Sequence, residues 1–428
     1  MSQGTIWLDL TILVNWKGHL TGIQRVEYNL AKRYAELPNV KFCVFHKESN
    51  KLAEFDFAHV DHKFQALQQQ TTPPIGEEVS PATVARPLYR RALSKARRVA
   101  GQLVSPEAKA FLRGQLHRSD AKETPVVFKP GDIFFITSGD WSGKEFANLI
   151  IKEREKTGLK VYLMVHDMLP AILPGYFVPG MDEQFVNYMK RMFAHCDGVM
   201  TTSQSSKKDI LQFVKDNHLP KIKVGMFRLG DDFVKTEPIK PAIDVTKDKF
   251  ILYVSTIEGR KNHMALYYAA REAQRRGYVD FPKVVLVGKR GWLSNDFAYI
   301  VEKDPVLSKK FIFTRPSDQE LAWLYKNCLV TVFPSFYEGW GLMITESLAF
   351  GKMCLSSDQS SMPEIGGDLV DYFSPSDPVS MMEKIMHYVK NPRDLQAKEA
   401  KIKKDYKITT WDDSFQQVQA AIKGMQKD

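Results

Sequence analysis

Short apolar runs alternate along the chain with longer segments in which apolar residues recur every three or four positions. The short runs end at Gly, Pro or polar residues, as buried parallel strands do, and the longer segments have the repeat of amphipathic helices. Strands are predicted at 5–14, 41–46, 132–137, 160–165, 198–203, 222–227, 250–254, 283–288, 311–314, 329–333 and 353–356. This alternation predicts an α/β fold in which helices cover parallel sheets.

The length of the chain predicts two domains. Its 428 residues exceed the usual size of a single domain, and 44% apolar residues are enough for two cores. The segment 238–248, rich in Pro, Lys and Asp, is predicted to be a linker. We therefore predict an N-terminal Rossmann-like domain over 1–238, a C-terminal domain over 245–405, and a last helix over 406–428 that crosses back to the first domain.

Composition and charge indicate the cellular compartment and the classes of partner. Four cysteines lie far apart without C-x-x-C spacing, which predicts free core thiols in a reducing compartment. No apolar run has the length of a membrane span and no signal peptide is visible, so we expect a cytoplasmic protein. The net charge of +10 favours an acidic partner: a nucleotide sugar, an anionic lipid or a nucleic acid. Because nothing resembles a nucleic-acid module, we predict no nucleic-acid partner.

A basic segment at 86–118 lies within a predicted insert of about 75–120. Its charged residues are Arg or Lys except for Glu107. At helical spacing, one side of residues 86–103 is apolar and the other is basic. Such a helix can lie on an anionic membrane, or it can pack on its own domain with the basic face in water. Both interpretations remain open.

Residues 329–351 combine a strand, a glycine-containing turn and a helix. The turn begins at Glu338, and the helix runs from about Leu342 to Gly351. Free N–H groups at a helix N-terminus favour an anion. Glu338 and Glu346, eight residues apart, add acceptors for hydroxyl groups. Phosphate-binding amides beside hydroxyl-binding carboxylates suit a sugar nucleotide.

Three other turns that follow predicted strands carry candidate chemistry. Arg260 and Lys261 follow the strand at 250–254 and precede a helix, which suits a diphosphate. His166 and Asp167 follow the strand at 160–165, at the edge where ligands of open α/β sheets gather. Gly22 lies between the first strand and its helix, at the first crossover of a Rossmann-like unit.

The segment from Glu338 to Glu346 resembles the E-x7-E signature of retaining glycosyltransferases with the GT-B fold, especially family 4. The flanking Phe333-Pro-Ser and Glu346-Ser-Leu-Ala are also similar to that family. The resemblance implies two Rossmann-like domains facing each other across a cleft. It also implies that the second domain holds the nucleotide and that the first supplies the acceptor wall.

The resemblance implies a role for each candidate residue. Arg260, Lys261 and Gly22 would contact the donor diphosphate, and Arg315 the base. Glu346 would bind the ribose. Glu338, His166 and Asp167 would be the catalytic residues around the donor sugar, with Glu338 binding its hydroxyls. The donor sugar or phosphate would also contact the residues of the turn: Gly339, Trp340, Gly341 and Leu342. The chain has no D-x-D motif, and we predict that it needs neither a metal ion nor a cofactor.

The implied activity is transfer of a hexosyl group from a nucleoside-diphosphate sugar to a saccharide or lipid-linked saccharide, with retention at the anomeric carbon. The opening Leu20-Thr-Gly-Ile-Gln-Arg25-Val is similar to bacterial O-antigen and capsule transferases and favours GDP-mannose. Such an enzyme would be cytoplasmic, or peripheral on the inner membrane face. A GT-B phosphorylase, a sugar-nucleotide epimerase and a non-catalytic membrane-associated scaffold remain alternatives. The intact Arg260, Lys261, Glu338 and Glu346 argue against the scaffold.

Overall fold

Two β-sheets organise the chain in the computed structural model, which describes residues 4–16, 22–69, 124–138, 141, 143–232 and 237–426. We call the part built on the first sheet the N-terminal domain and the part built on the second the C-terminal domain. The basic segment at 86–118 and its predicted membrane contact at 86–103 lie outside the described residues.

The first sheet has seven strands, and six of them are parallel. In chain order they are β1 (Ile6–Asp9), β2 (Val40–His46), β3 (Lys51–Phe55), β4 (Ile133–Ile136), β5 (Lys160–Met164), β6 (Gly198–Thr201) and β7 (Val224–Met226). Their spatial order is β3-β2-β1-β4-β5-β6-β7, with β3 antiparallel to β2 at one edge. Because β1, β4 and β5 are neighbours, their carboxyl ends meet at one edge of the sheet.

Helices cover both faces of this sheet, as buried apolar strands require. They are α1 (Thr11–Asn15), α2 (Gly22–Tyr34), α3 (Phe57–Gln69), α4 (Glu145–Thr157), α5 (Leu169–Ile172), α6 (Met181–His195) and α7 (Gln204–Asp216), with a 3-10 turn at Pro174–Tyr176. Helix α2 buries Val26, Leu30 and Tyr34, which lie four residues apart on one face.

The second sheet has six parallel strands in the order of a Rossmann fold. They are β8 (Phe250–Val254), β9 (Lys283–Val287), β10 (Phe311–Thr314), β11 (Thr331–Phe333), β12 (Cys354–Ser357) and β13 (Asp371–Phe373). Their spatial order is β10-β9-β8-β11-β12-β13, so the direction of winding reverses between β8 and β11. Ligands of such sheets bind at the carboxyl ends of the strands at this reversal.

The helices of the C-terminal domain pack around that sheet. They are α8 (His263–Arg275), α9 (Asn295–Lys303), α10 (Asp318–Asn327), α11 (Leu342–Ala349), α12 (Met362–Gly366), α13 (Pro378–Lys390) and α14 (Pro392–Asp405), with 3-10 turns at Gly259–Lys261, Leu307–Lys309 and Gly367–Leu369.

The last helix, α15 (Trp411–Gln426), packs on β6 and β7 of the first sheet and on α2. A Cβ added to Gly225 of β7 would lie 3.0 Å from the Cβ of Ala421, and one added to Gly198 of β6 would lie 2.6 Å from the Sδ of Met425. The ring of Phe415 meets that of Tyr34 edge to face, with centroids 4.9 Å apart. The chain therefore returns to the N-terminal domain at its end.

The predicted first strand, 5–14, is wrong in its second half. Strand β1 ends at Asp9, and α1 follows. The buried carboxylate of Asp9 accepts a hydrogen bond from the N–H of Thr11 at 3.0 Å and another from its hydroxyl. Such local side-chain bonds compete with a strand ladder and turn the chain.

The region after residue 50 also departs from the prediction. The polar segment 68–74 is predicted as a linker, but its first two residues belong to helix α3. Strand β3 and most of α3 were not predicted. The cysteines are free as predicted: Cys43, Cys328 and Cys354 are buried, and Cys196 is partly buried.

Candidate active site

The turn between β11 and α11 holds the first glutamate of the E-x7-E segment. The N–H of Glu338 donates to the hydroxyl of Ser360 at 3.0 Å, and the hydroxyl of Ser361 donates to the carbonyls of Glu338, at 3.0 Å, and Trp340. Gly341 directly precedes α11 with φ at 132°, a value that L side chains rarely adopt. The loop after β12 therefore fixes the path of this turn.

Two cations converge on the carboxylate of Glu338. The Nζ of Lys261 lies 2.6 Å from its Oε1, and the Nη1 of Arg260 lies 3.0 Å from its Oε2. The hydroxyl of Ser335 donates to Oε1 at 2.6 Å, and Arg260 also pairs with Glu258 at 2.9 Å. The structure thus joins Arg260 and Lys261 to Glu338, which lies 77 residues beyond Lys261 in the sequence.

The order of the strands in the second sheet explains why Arg260 and Lys261 contact Glu338. Arg260 and Lys261 form the 3-10 turn that follows β8, and β8 is the neighbour of β11. Asn262 ends the turn in the left-handed region, with φ at 56°, and its side-chain amide donates to the carbonyls of Pro334 at 3.0 Å and Pro375 at 2.8 Å. The turn is therefore anchored to the same loop that carries Glu338.

The two cations of this cluster act on the pKa values of the acidic groups around them. Burial alone would raise the pKa of Glu338, but Arg260 and Lys261 outweigh it and lower this pKa to about 2. Burial raises the pKa of Asp167 and that of Glu258, and the nearby Arg260 offsets part of each shift. Glu338 is therefore ionised at neutral pH although it is buried.

The N-terminal domain contributes His166 and Asp167 to the same place. A Cβ added to Gly339 would lie 2.3 Å from the carbonyl oxygen of His166 and 2.9 Å from the Cβ of Asp167. The hydroxyl of Thr202 donates to the carbonyl of Gly339 at 3.2 Å. Only a glycine fits at residue 339 in this arrangement, because the backbones of the two domains touch there.

The ring of His166 is partly buried and is uncharged at neutral pH. Burial lowers the pKa of His166 to about 4, and a hydrogen bond to the backbone of Thr137 only partly opposes this shift. Among the residues that the structure describes, its Nε2 atom has no hydrogen-bond partner. Asp167 accepts the N–H of Leu169 at 3.0 Å, which holds the start of α5.

The second glutamate, Glu346, lies in α11 and pairs with a different cation. The Nη1 of Arg25 lies 2.8 Å from its Oε1, and the hydroxyl of Tyr325 donates to its Oε2 at 2.5 Å. Arg25 belongs to the first turn of α2, which begins at Gly22. A Cβ added to Gly22 would meet no atom within 4 Å. Gly22 thus lies three residues before the arginine that reaches Glu346 from the N-terminal domain.

The remaining predicted residues are spread around the turn. Trp340 is buried beneath the guanidinium of Arg228, whose Cζ lies 5.8 Å from the ring centroid, and Leu342 packs against the core at the start of α11. Arg315 is exposed after β10, which β9 and β8 separate from β11. The structure does not bring Arg315 to Glu338, and its contact with a base stays a prediction.

Sequence reasoning missed three side chains that complete the site: Arg25, Glu258 and Ser335. Glu258 and Ser335 lie two and three residues from predicted site residues, so their closeness to those residues along the chain could have indicated them. Arg25 is 321 residues from Glu346, and no local pattern indicates that pair. Among the described residues, no group of three or more His, Cys, Asp or Glu side chains can hold a metal ion. In the same ranges, none of the helices combines the length and the apolar character of a membrane span.

Comparisons with known proteins agree with this geometry. Residues 235–406 match the model of the family described as glycosyl transferases group 1. The chain is 27% identical over 296 residues to the serotype-specific mannosyltransferase WbdA of Escherichia coli, covering 64% of this chain and 36% of that protein. It is also 27% identical over 184 residues to O-antigen chain mannosyltransferase B of Escherichia coli, covering 42% of this chain and 48% of that protein.

The chain thus spans about a third to a half of the length of the curated relatives that it matches. A solved structure of Anabaena Alr3699/HepE in complex with UDP matches 98% of this chain and all of its own, with a TM-score of 0.60 at 12% identity. That likeness shows the fold, and it confirms the GT-B architecture of two Rossmann-like domains. Residues 235–406, which carry both the Arg-Lys turn and the two glutamates, thus match the glycosyl transferases group 1, on a chain with the GT-B fold.

Proposed function

We propose that this protein is a retaining glycosyltransferase that moves a hexosyl group from a nucleoside-diphosphate sugar to a saccharide hydroxyl. The observation that carries the proposal is the cluster of Arg260 and Lys261, both partly buried, around the buried Glu338 at the reversal of the second sheet. His166 and Asp167 of the other domain adjoin this cluster. Paired cations for phosphates and carboxylates for hydroxyl groups then lie within one interface.

Arg260 and Lys261 are suited to the departing diphosphate. A guanidinium offers a planar fork of donors and an ammonium a compact charge, so that together they can neutralise two phosphate groups. Their ion pairs with Glu338 and Glu258 hold both side chains in place before a ligand arrives. Preorganised charge of this kind stabilises a transition state because it need not rearrange during the reaction.

In the proposed reaction, the bond from the anomeric carbon to the diphosphate oxygen breaks, and a bond from that carbon to the acceptor oxygen forms on the same face. The proton of the acceptor hydroxyl passes to the departing diphosphate, which leaves as the nucleoside diphosphate. Both oxygens of Glu338 already accept contacts from Lys261, Arg260 or Ser335, so we assign Glu338 to binding and not to nucleophilic attack. His166, neutral at pH 7, would act as a hydrogen-bonding group toward the donor sugar.

We propose mannose from GDP-mannose as the donor and a saccharide or lipid-linked saccharide of a bacterial surface polysaccharide as the acceptor. The names of the relatives support this choice, since both are mannosyltransferases and one is named for an O-antigen chain. Glu346 would accept hydrogen bonds from the ribose hydroxyls, and Arg315 would contact the base. The predicted contact of residues 86–103 with an anionic membrane stays a prediction.

A ligand screen tests the proposal directly. Thermal unfolding would be followed with GDP, UDP, dTDP and ADP, because a ligand at 100 times its dissociation constant stabilises a protein by about 2.7 kcal/mol. We expect GDP to give the largest shift, and transfer from GDP-mannose to continue in excess EDTA. Stabilisation by another of the four would correct the donor, and failure of all four to bind would overturn the proposal. Loss of transfer in EDTA with recovery in Mg²⁺ would overturn the metal-free mechanism.

A further inference from the structure

One ion pair links the nucleotide side of the C-terminal domain to the N-terminal domain. Arg25 lies in the first turn of α2, and its Nη1 is 2.8 Å from the Oε1 of Glu346 in α11. The side chain of Glu346 is 7% exposed, whereas that of Arg25 is 31% exposed. The carboxylate is therefore almost enclosed, and the cation approaches it from the interface between the domains.

We propose that Arg25 is a positioning residue for the donor nucleotide: it keeps the carboxylate of Glu346 charged and oriented, and it does so from the acceptor-side domain. This inference rests on the proposed role of Glu346 toward the ribose. Since Arg25 and Glu346 lie in different domains, the nucleotide site is complete only when the two domains meet as they do here.

The surroundings of Glu346 explain why it needs a cation. Tyr325 of α10 donates to its Oε2, and Asp318 in the first turn of α10 adds a second negative charge nearby. Burial raises the pKa of Glu346, Arg25 and the hydroxyl of Tyr325 oppose that shift, and Asp318 adds to it. Without Arg25 the pKa of Glu346 rises further, and the carboxyl takes up a proton more readily.

A protonated Glu346 is a poorer acceptor for two ribose hydroxyls. An ionised carboxylate accepts with both oxygens, whereas a protonated one has an O–H donor in place of one accepting site. Loss of Arg25 should therefore weaken nucleotide binding most at low pH, and a rise in pH should restore part of it. A side chain that served only to hold the fold would not produce this dependence.

The test compares Arg25→Gln with Arg33→Gln by calorimetry with GDP at pH 6.5, 7.5 and 8.5. Arg33 lies two turns further along α2 and pairs with Asp412 of α15, so its variant removes an arginine from the same helix away from Glu346. We expect Arg25→Gln to weaken GDP binding about tenfold at pH 6.5 and distinctly less at pH 8.5, the range for loss of a charge-assisted hydrogen bond. Arg33→Gln should keep the parental affinity at each pH.

Arg25→Lys serves as the conservative variant: it keeps the charge without the planar fork and should restore part of the affinity, with a pH dependence between those of the parent and Arg25→Gln. If Arg25→Gln does not fold, Arg25→Lys provides the test. Its GDP affinity must then be below that of the parent at pH 6.5 and must recover as the pH rises, by less than is expected for Arg25→Gln. The inference is overturned if Arg25→Gln binds GDP like the parent, or equally weakly at every pH. If the parent binds none of GDP, UDP, dTDP and ADP, the proposed function fails and the inference with it. If the parent binds and only Glu346→Gln is weakened, the inference fails alone.

Discussion

Glu364 accepts the backbone N–H of Gln204 with both carboxylate oxygens, each at 2.9 Å, and so caps helix α7 from the other domain. The N–H of Ser205 adds a longer contact of 3.4 Å. Beside this cap, the hydroxyl of Tyr337 bonds to the hydroxyl of Ser205 at 3.2 Å and donates to Asp209. Tyr337 directly precedes Glu338, so these contacts connect α7 to the turn of the candidate site.

Removal of the cap should therefore affect both stability and catalysis. We expect Glu364→Ala to lower the free energy of unfolding by about 1 kcal/mol, the usual effect of losing a helix cap. It should also lower kcat/KM for donor transfer, because α7 is then less firmly held to the turn that carries Glu338. Urea unfolding and steady-state transfer kinetics would measure the two effects.

Asp377→Ala is the matched control for this prediction. Asp377 caps α13 through the N–H of Ser380 at 2.9 Å, and both residues belong to the C-terminal domain. Its loss should cost similar stability without a change in kcat/KM. If Glu364→Ala behaves in the same way, the interdomain cap has no influence on transfer.

The Arg-Lys turn should account for a large part of the transition-state stabilisation. We expect Lys261→Ala, and separately Arg260→Ala, to raise the barrier by about 2–4 kcal/mol, as loss of one preorganised partner of a developing charge does. Single-turnover rates with GDP-mannose would report this change, and circular dichroism would verify the fold.

Lys283→Ala supplies the comparison for these two variants. Lys283 begins β9 and pairs with the exposed Asp244, so its variant removes a lysine from the same sheet at the opposite end of a strand. It should transfer at the parental rate. Parental rates in Lys261→Ala and Arg260→Ala as well would mean that the diphosphate binds elsewhere.

The two glutamates should separate into different kinetic roles. Glu346→Gln should weaken binding of free GDP, because a neutral amide accepts less strongly from the ribose hydroxyls. Glu338→Gln should slow turnover of GDP-mannose more than it weakens free GDP, since Glu338 holds Lys261 and faces the donor sugar in the proposed complex. Calorimetry and initial rates distinguish these effects. A reversed pattern, in which Glu338→Gln alone loses GDP affinity, would exchange the two assignments.

The sequence predicted those elements whose pattern is local. Strand β8 lies where the sequence predicts it, since an apolar run depends only on neighbouring residues. The predicted end of β1 was wrong because the carboxylate of Asp9 accepts a hydrogen bond from the N–H of Thr11 and turns the chain. Strand β3 was missed because it is an edge strand of mixed polarity, Lys-Leu-Ala-Glu-Phe.

The candidate site likewise has features that the local sequence predicts and features that depend on the tertiary structure. The residues of the E-x7-E turn and of the Arg-Lys turn were identified from local motifs and their resemblance to a family. Their pairing depends on sheet order, which places β8 beside β11. The pair of Arg25 with Glu346 depends on how two domains meet, and no window of sequence contains both residues.

A buried carboxyl group in the N-terminal domain should make the stability of the protein depend on pH. Glu27 of α2 is fully buried, and its Oε1 accepts the hydroxyl of Thr137 at 3.1 Å. Burial and the neighbouring Asp9 raise the pKa of Glu27 from its ordinary value of 4.5 to about 8, against the hydrogen bond from Thr137 that lowers it. Glu27 is therefore largely protonated in the folded protein at pH 7.

The sign of the effect follows from the direction of this shift. In the unfolded chain Glu27 ionises near pH 4.5, whereas in the folded protein it keeps its proton until about pH 8. Folding therefore takes up a proton between these values, and the contribution of Glu27 to stability is lost as the pH rises through that window. The slope is about 1.4 kcal/mol for each pH unit.

Glu27→Gln removes this dependence because the amide does not titrate. We compare the free energy of unfolding of the variant with that of the parent. The variant's value minus the parent's should increase by about 1.4 kcal/mol for each pH unit between pH 5.5 and 7.5 and should become constant above pH 8. Urea unfolding at pH 5.5, 6.5, 7.5 and 8.5 would measure it. Glu36→Gln, which alters an exposed residue just after α2, should show no such trend. A difference between Glu27→Gln and the parent that stays constant across this range would show that Glu27 ionises at its ordinary pH in the folded protein.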